Sequence, residues 1–99
     1  MPLTKSNDVF VISTPGHTVG HQSVVIDLGE RQIVIAGDAA FDDQQVLNKA
    51  IPGIVENRQL TLQTYEALLR AQQAKPTLNL FTHDSTNRRK LSEFSRLVQ

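Results

Sequence analysis

The run Thr14-Pro15-Gly16-His17-Thr18-Val19-Gly20-His21 lies between two stretches of β-forming residues, and its reading decides the fold. On its N-terminal side, Asp8-Val9-Phe10-Val11-Ile12-Ser13 is β-branched and aromatic, which predicts a strand. Thr14-Pro15-Gly16 ends that strand, because proline cannot donate to a ladder and glycine accepts the turn. His17 and His21 stand at a helical spacing, but Pro15, Gly16 and Gly20 argue against a helix there. The run therefore reads as a strand-end loop carrying two imidazoles.

Working outward, Ser23 to Leu28 and Gln32 to Ala36 predict two more strands, joined by a hairpin at Gly29-Glu30-Arg31. Gly37-Asp38 closes the third strand. Phe41 to Glu56 shows no clear period and contains Ile51-Pro52-Gly53-Ile54, so it reads as a long loop of the kind that often serves binding. Asn57 is placed to cap a helix running to about Ala74, with Leu60, Leu62, Tyr65, Leu68 and Leu69 on one broad apolar face. Lys75-Pro76 stops it. Asn79-Leu80-Phe81 predicts a short strand leading into Thr82-His83-Asp84-Ser85. A last helix is expected from Thr86 to Val98, with Leu91, Phe94, Leu97 and Val98 inward. The order is β-β-β-α-β-α, in a single α/β domain over residues 1–99.

Composition narrows the function classes. Basic and acidic residues number 10 each, so the formal net charge is zero and nothing points to nucleic acid or an acidic membrane. Without cysteine there is no disulfide frame and no thiolate metal site. The first eight residues hold no apolar leader core, and no apolar run approaches the ~20 residues that span a bilayer. The expectation is a soluble cytoplasmic protein.

The three histidines are the whole imidazole supply. His17 and His83 each follow a strand, and Asp38 lies just past one behind Gly37. Strand-end loops of one sheet converge at one edge, so these side chains can meet around a single ion. Two imidazoles and a carboxylate suit zinc, or less specifically iron or manganese. Each residue alone also reads as an ordinary group, the histidines as surface residues and Gly-Asp as a turn. Arg88-Arg89-Lys90 reads as a solvated helix face, and Asp42-Asp43 as loop surface.

Thr14 to His21 resembles the TPGHTxGH motif of metallo-β-lactamase-fold proteins. Gly37-Asp38 after a hairpin and Phe81-Thr82-His83-Asp84 after a strand follow in that family's order. Gln22-Ser23 and the helix around Leu60-Thr61-Leu62 look most similar to the N-acyl homoserine lactone lactonase branch. The resemblance implies half of a four-layer αββα sandwich, with a mixed sheet of about four strands and two helices. It implies a zinc-dependent hydrolase of lactones, esters, amides or thioesters. By position, His17 would be the third histidine of the first metal, Asp38 the carboxylate bridging two metals, and His83 a ligand of the second. His21 and Asp84 would stand behind these ligands and orient them. The HxHxDH motif that supplies the remaining ligands is absent, and no His-x-His occurs in these residues. Phe41 stands where the lactonase branch has a tyrosine whose hydroxyl faces the substrate.

Two functional expectations follow. The chain is a hydrolase fragment, silent alone and completed by an N-terminal-half chain that supplies HxHxDH. Alternatively it is a non-enzymatic small protein that forms a homo-oligomer and binds metal or a small molecule weakly or not at all. In both cases the helices, through Leu62, Leu69 and Phe94, cover one face of the sheet. The other face, with Val24, Ile26 and Ile33, is left for a partner.

Overall fold

Alternating β-branched residues build an antiparallel meander of β1 (Val9–Ser13), β2 (Gln22–Asp27) and β3 (Gln32–Gly37). The computed structural model describes residues 8–18, 20–40, 42–50 and 57–96. β4 (Thr77–Phe81) joins β3 in parallel, giving a mixed four-stranded sheet in the order β1-β2-β3-β4. The hairpin between β2 and β3 turns at Gly29, whose φ of 92° suits glycine. The Asp27 carboxylate accepts the Gly29 N–H at 2.9 Å. β4 begins two residues earlier than its apolar run suggests, because Thr77 and Leu78 pair with Gln32 and Ile33.

Three helices accompany the sheet rather than the two expected: α1 (Asp43–Leu47), α2 (Arg58–Ala74) and α3 (Asn87–Arg96). The additional one, α1, lies in the stretch read as a loop. Its Asp42 carboxylate caps the Gln45 N–H at 2.8 Å, and Val46 is its buried residue. Five residues are too few to show a helical period. α2 begins where its sequence cap predicts, with the Leu60 N–H donated to Asn57 Oδ1 at 2.9 Å.

α2 buries Thr61, Thr64, Tyr65 and Leu68, a one-sided stripe at helical spacing. Leu60 and Leu62 are only half-buried, which corrects the leucine-based face. The two threonines take the inner positions because their hydroxyls meet backbone carbonyls, at Asn57 O and Pro15 O. Tyr65 is fully buried and donates its hydroxyl to Ala50 O at 3.1 Å. With Leu68 it packs on Val25, Val34, Ala36 and Phe81 of the sheet and on Ala39, Ala40 and Val46, flanked by Phe10, Ile12 and Leu69.

α3 turns Asn87, Lys90 and Phe94 toward β4. Asn87 donates to Phe81 O, Lys90 lies 5.3 Å from the Phe81 ring centroid, and Phe94 is buried. Leu91, expected inward, is 43% exposed, although it stands four residues after Asn87 and three before Phe94. Leu97 and Val98 lie outside the described residues. Lys90 also departs from the expected solvated face, its side chain being only 16% exposed.

The opposite sheet face is aliphatic over two cross-strand rows and ends on the exposed pair Ser13 and Gln22. The register aligns Val9, Ile26, Ile33 and Leu78 in one cross-strand row, and Val11, Val24, Ile35 and Leu80 in the next. Leu78 is buried and Ile35 is 43% exposed, while the other six are intermediate. None of the eight belongs to the core cluster under α2. Among the described residues no helix is long and apolar enough to cross a membrane.

Candidate metal centre

The register places the candidate residues at one end of the sheet. Ser13 pairs with Gln22 and Gly37 with Phe81, so the loops after β1, β3 and β4 open where β2 begins. The Thr82 N–H donates to Gly37 O at 2.8 Å, holding the Gly37-Asp38 turn beside the Thr82-His83 turn. Gly37 has φ of 56°, and a Cβ there would lie 3.3 Å from His21 Nε2.

Asp38 and His83 meet. Asp38 Oδ1 lies 3.3 Å from His83 Nε2. That oxygen is buried and has no hydrogen-bond partner, so the contact has ion-pair distance without hydrogen-bond alignment. Two donors on one tetrahedral zinc, each at ~2.0–2.2 Å, stand about 3.4 Å apart. The pair therefore fits two ligands of a shared ion. Among the described residues no three His, Asp or Glu side chains gather closely enough to hold a metal, so His17 does not complete a triad with this pair.

His17 is half-buried in a loop pinned onto α2. The Asn57 N–H donates to Gly16 O at 3.2 Å, and the Thr64 hydroxyl to Pro15 O at 2.6 Å. Gly16 sits so close to α2 that a Cβ would come within 2.6 Å of Thr61 Cα.

His21 holds two turns together. Its Nε2 lies 3.3 Å from the Asp38 N–H, which can only donate, so Nε2 accepts and the ring proton is on Nδ1. Nδ1–H then faces Thr14 Oγ1 at 2.9 Å and Thr14 O at 3.2 Å. The Thr14 hydroxyl continues to Ser23 Oγ at 2.7 Å, and both residues are buried. His21 thus ties the loop after β1 to the backbone of Asp38. Thr14 and Ser23 escape a reading for metal donors, because hydroxyls in and beside strands carry no such signal.

Both carboxylate oxygens of Asp84 are engaged, one within its own loop and one by α3. Oδ1 accepts the Thr86 N–H and hydroxyl, and Oδ2 accepts from Lys90 Nζ at 3.0 Å. Burial pushes this carboxyl up, but the Thr86 donors and the Lys90 ammonium outweigh it and hold the group below the usual carboxylate range. Phe41 lies outside the described residues.

The chain belongs to the metallo-beta-lactamase superfamily, whose family model matches residues 4–83. Among solved structures it is similar to an N-acyl homoserine lactone hydrolase with the product N-hexanoyl-L-homoserine bound at its catalytic metal centre. That match has 21% identity and a TM-score of 0.73, covering 90% of this chain and 35% of the other. A B. thuringiensis AiiA mutant with N-decanoyl-L-homoserine bound matches with the same figures, 21% identity, TM-score 0.73, and 90% and 35% coverage. A quorum-quenching N-acyl homoserine lactone lactonase matches at 24% identity and TM-score 0.67, over 79% of this chain and 32% of the other. These likenesses show the fold, and the chain spans about a third of the length of the structures it matches. No curated protein sequence matches it.

Proposed function

We propose that the sheet end bearing Asp38 and His83 is one half of a zinc-dependent hydrolase centre acting on a carbonyl substrate of the ester, lactone, amide or thioester class. One observation carries the reading: a buried carboxylate oxygen that makes no hydrogen bond lies 3.3 Å from an imidazole nitrogen, at the end of the sheet where four strand ends converge. Superfamily membership supports it, as does the product-bound lactone hydrolase among the similar structures. A bound zinc would polarise the carbonyl and acidify a water. Asp38 would contribute charge, His83 a neutral imidazole donor, and His21 the brace on the Asp38 backbone. His17, on the same sheet end, would join once further donors are present. Those donors would come from residues outside these 99, on another segment or another chain. With two donors meeting, the 99 residues alone are proposed to bind zinc weakly and to hydrolyse nothing.

Zinc competition against a colorimetric chelator tests this, with the parent compared to His83→Ala and Asp38→Asn. Weak binding by the parent that falls at least about tenfold in both variants is the expected result. Equal affinity in all three would place any metal elsewhere. Zinc-stimulated turnover of a lactone or ester by the isolated chain, abolished by Asp38→Ala, would overturn the proposed silence.

A further inference from the structure

Lys90 sits where the two loops of the candidate centre come together. Its ammonium lies 2.7 Å from Asp43 Oδ2 and 3.0 Å from Asp84 Oδ2, over the face of Phe81 at 5.3 Å from the ring centroid. Asp84 directly follows His83, and Asp43 opens α1, five residues after Asp38. Every carboxylate oxygen in the cluster has a donor. Asp43 Oδ1 takes the Asn79 side-chain N–H at 3.2 Å, and Asp84 Oδ1 takes the two Thr86 donors. Asn79 is itself buried, on the α2 side of β4. The Asp84 and Lys90 side chains are 5% and 16% exposed, so water screens the pair weakly.

We infer that Lys90 is a positioning residue for the His83–Asp38 pair: its ammonium joins α3, the His83 loop and α1 into one unit and holds His83 Nε2 within reach of Asp38. The inference rests on the metal-centre reading proposed above. The physical reason is the cost of an uncompensated buried charge. Without the ammonium, Asp84 keeps the two Thr86 donors on Oδ1 but Oδ2 loses its donor. Carrying Oδ2 toward water moves the loop that bears His83. The Asp43 link breaks at the same time, which frees α1 from α3. A cation–π contact with Phe81 adds to the hold on β4.

The test compares Lys90→Met, which keeps the stem and removes the charge, with Lys75→Met. Lys75 makes a bridge of equal length, 2.7 Å to Asp27, at the opposite end of the sheet. Two readouts are taken on the whole chain. The first is amide hydrogen exchange at Thr82, Asp84 and Thr86, each a donor in the parent, and it needs no metal. The second is zinc affinity by chelator competition. In Lys90→Met the three amides are expected to exchange at least about tenfold faster, and zinc to bind about ten- to a hundredfold more weakly, the range for a lost ligand-orienting partner. Lys75→Met is expected to match the parent in both. Should Lys90→Met fail to fold, Asp43→Asn decides, since it breaks only the α1 link and is expected to weaken zinc at least about threefold. Parent-like exchange in the folded Lys90→Met, or parent-like zinc affinity once its loop has loosened, overturns the inference, as does parent-like behaviour of Asp43→Asn where that variant decides. If the parent binds no zinc, the metal reading fails by itself, and amide exchange alone still decides whether Lys90 holds the loop.

Discussion

At the residue scale, the structure separates histidines that look equivalent in the sequence. His21 spends Nε2 on the Asp38 amide and Nδ1 on Thr14, so neither nitrogen is spare for a ligand. A long-range nitrogen–proton NMR correlation is expected to show the Nδ1–H tautomer for His21 at neutral pH; the Nε2–H pattern would contradict the brace. His21→Ala leaves a half-buried N–H and a carbonyl without this partner, and is expected to cost about 1–3 kcal/mol by urea denaturation. Gly16 is stricter. Its φ is 140°, and a Cβ would lie 2.6 Å from Thr61 Cα, so Gly16→Ala must displace the N-terminus of α2. A loss of more than about 2 kcal/mol is expected, against less than about 0.5 kcal/mol at Gly20, where a Cβ meets nothing within 4 Å. Among the described residues, two carboxylates are held low by their partners. Asp27 is held below the usual range by the Lys75 hydrogen bond and the Gly29 N–H, and Asp84 by Thr86 and Lys90 against the effect of burial. Because both folded values are depressed, their contribution is complete above the unfolded pKa of about 4 and is lost as pH falls through the lowered values. Asp84→Asn is therefore expected to flatten the loss of stability below about pH 4, as followed by thermal melts from pH 2 to 7.

At the element scale, α2 serves as the support on which the loop of His17 rests. Three contacts join them: Asn57 N–H to Gly16 O, Thr64 hydroxyl to Pro15 O, and Thr61 against the bare Cα of Gly16. Thr64→Val keeps the shape and strands the Pro15 carbonyl, for an expected loss of about 1–2 kcal/mol in denaturant. Thr64→Ser is expected to recover most of it; a serine variant as unstable as valine would assign the loss to packing. The cap of α2 was legible because capping is local chemistry: Asn57 precedes an apolar period and Lys75-Pro76 ends it. The inner face was not, because Leu60 and Leu62 outrank Thr61 and Thr64 on hydrophobicity, while burial followed hydroxyl partners, one of them (Pro15 O for Thr64) distant in sequence. The same holds for α3, where Asn87 and Lys90 turn toward β4 on polar partners and Leu91 stays 43% exposed. The strands and the Gly-Asp turn were readable from alternation and turn residues. The convergence of Asp38 and His83 was readable only through the resemblance and the topology, since they are brought together by the parallel pairing of β3 with β4. α1 left no trace, being a single buried valine on one capped turn.

At the scale of the whole molecule, the two sheet faces have unequal cover. Under α2 the sheet buries Val25, Val34, Ala36 and Phe81, and on the other side two complete cross-strand rows of aliphatic residues lie outside that cluster. Alternation on a sheet with one face in water would put polar residues there. Eight aliphatic residues instead describe the inner face of a sandwich, whose sheets pack about 10 Å apart. The similar structures are about two and a half times as long as this chain, which leaves room in each for further elements. A net charge of zero adds little repulsion between copies. An apolar patch of roughly several hundred Å² is one that soluble monomers rarely keep open. The isolated 99 residues are therefore expected to self-associate through this face, most simply as a two-fold dimer, and to exchange that contact for a chain bearing the HxHxDH half when one is supplied. Sedimentation velocity at tens of micromolar separates the outcomes. Ile33→Lys with Ile35→Lys is expected to shift the chain to monomer while far-ultraviolet circular dichroism stays unchanged, because those side chains lie outside the α2 core. Val34→Lys, one residue between them but pointing into that core, is expected to unfold it. A parent chain that sediments as a monomer at that concentration, with Ile35 in contact with its own residues, would show that this face needs no partner.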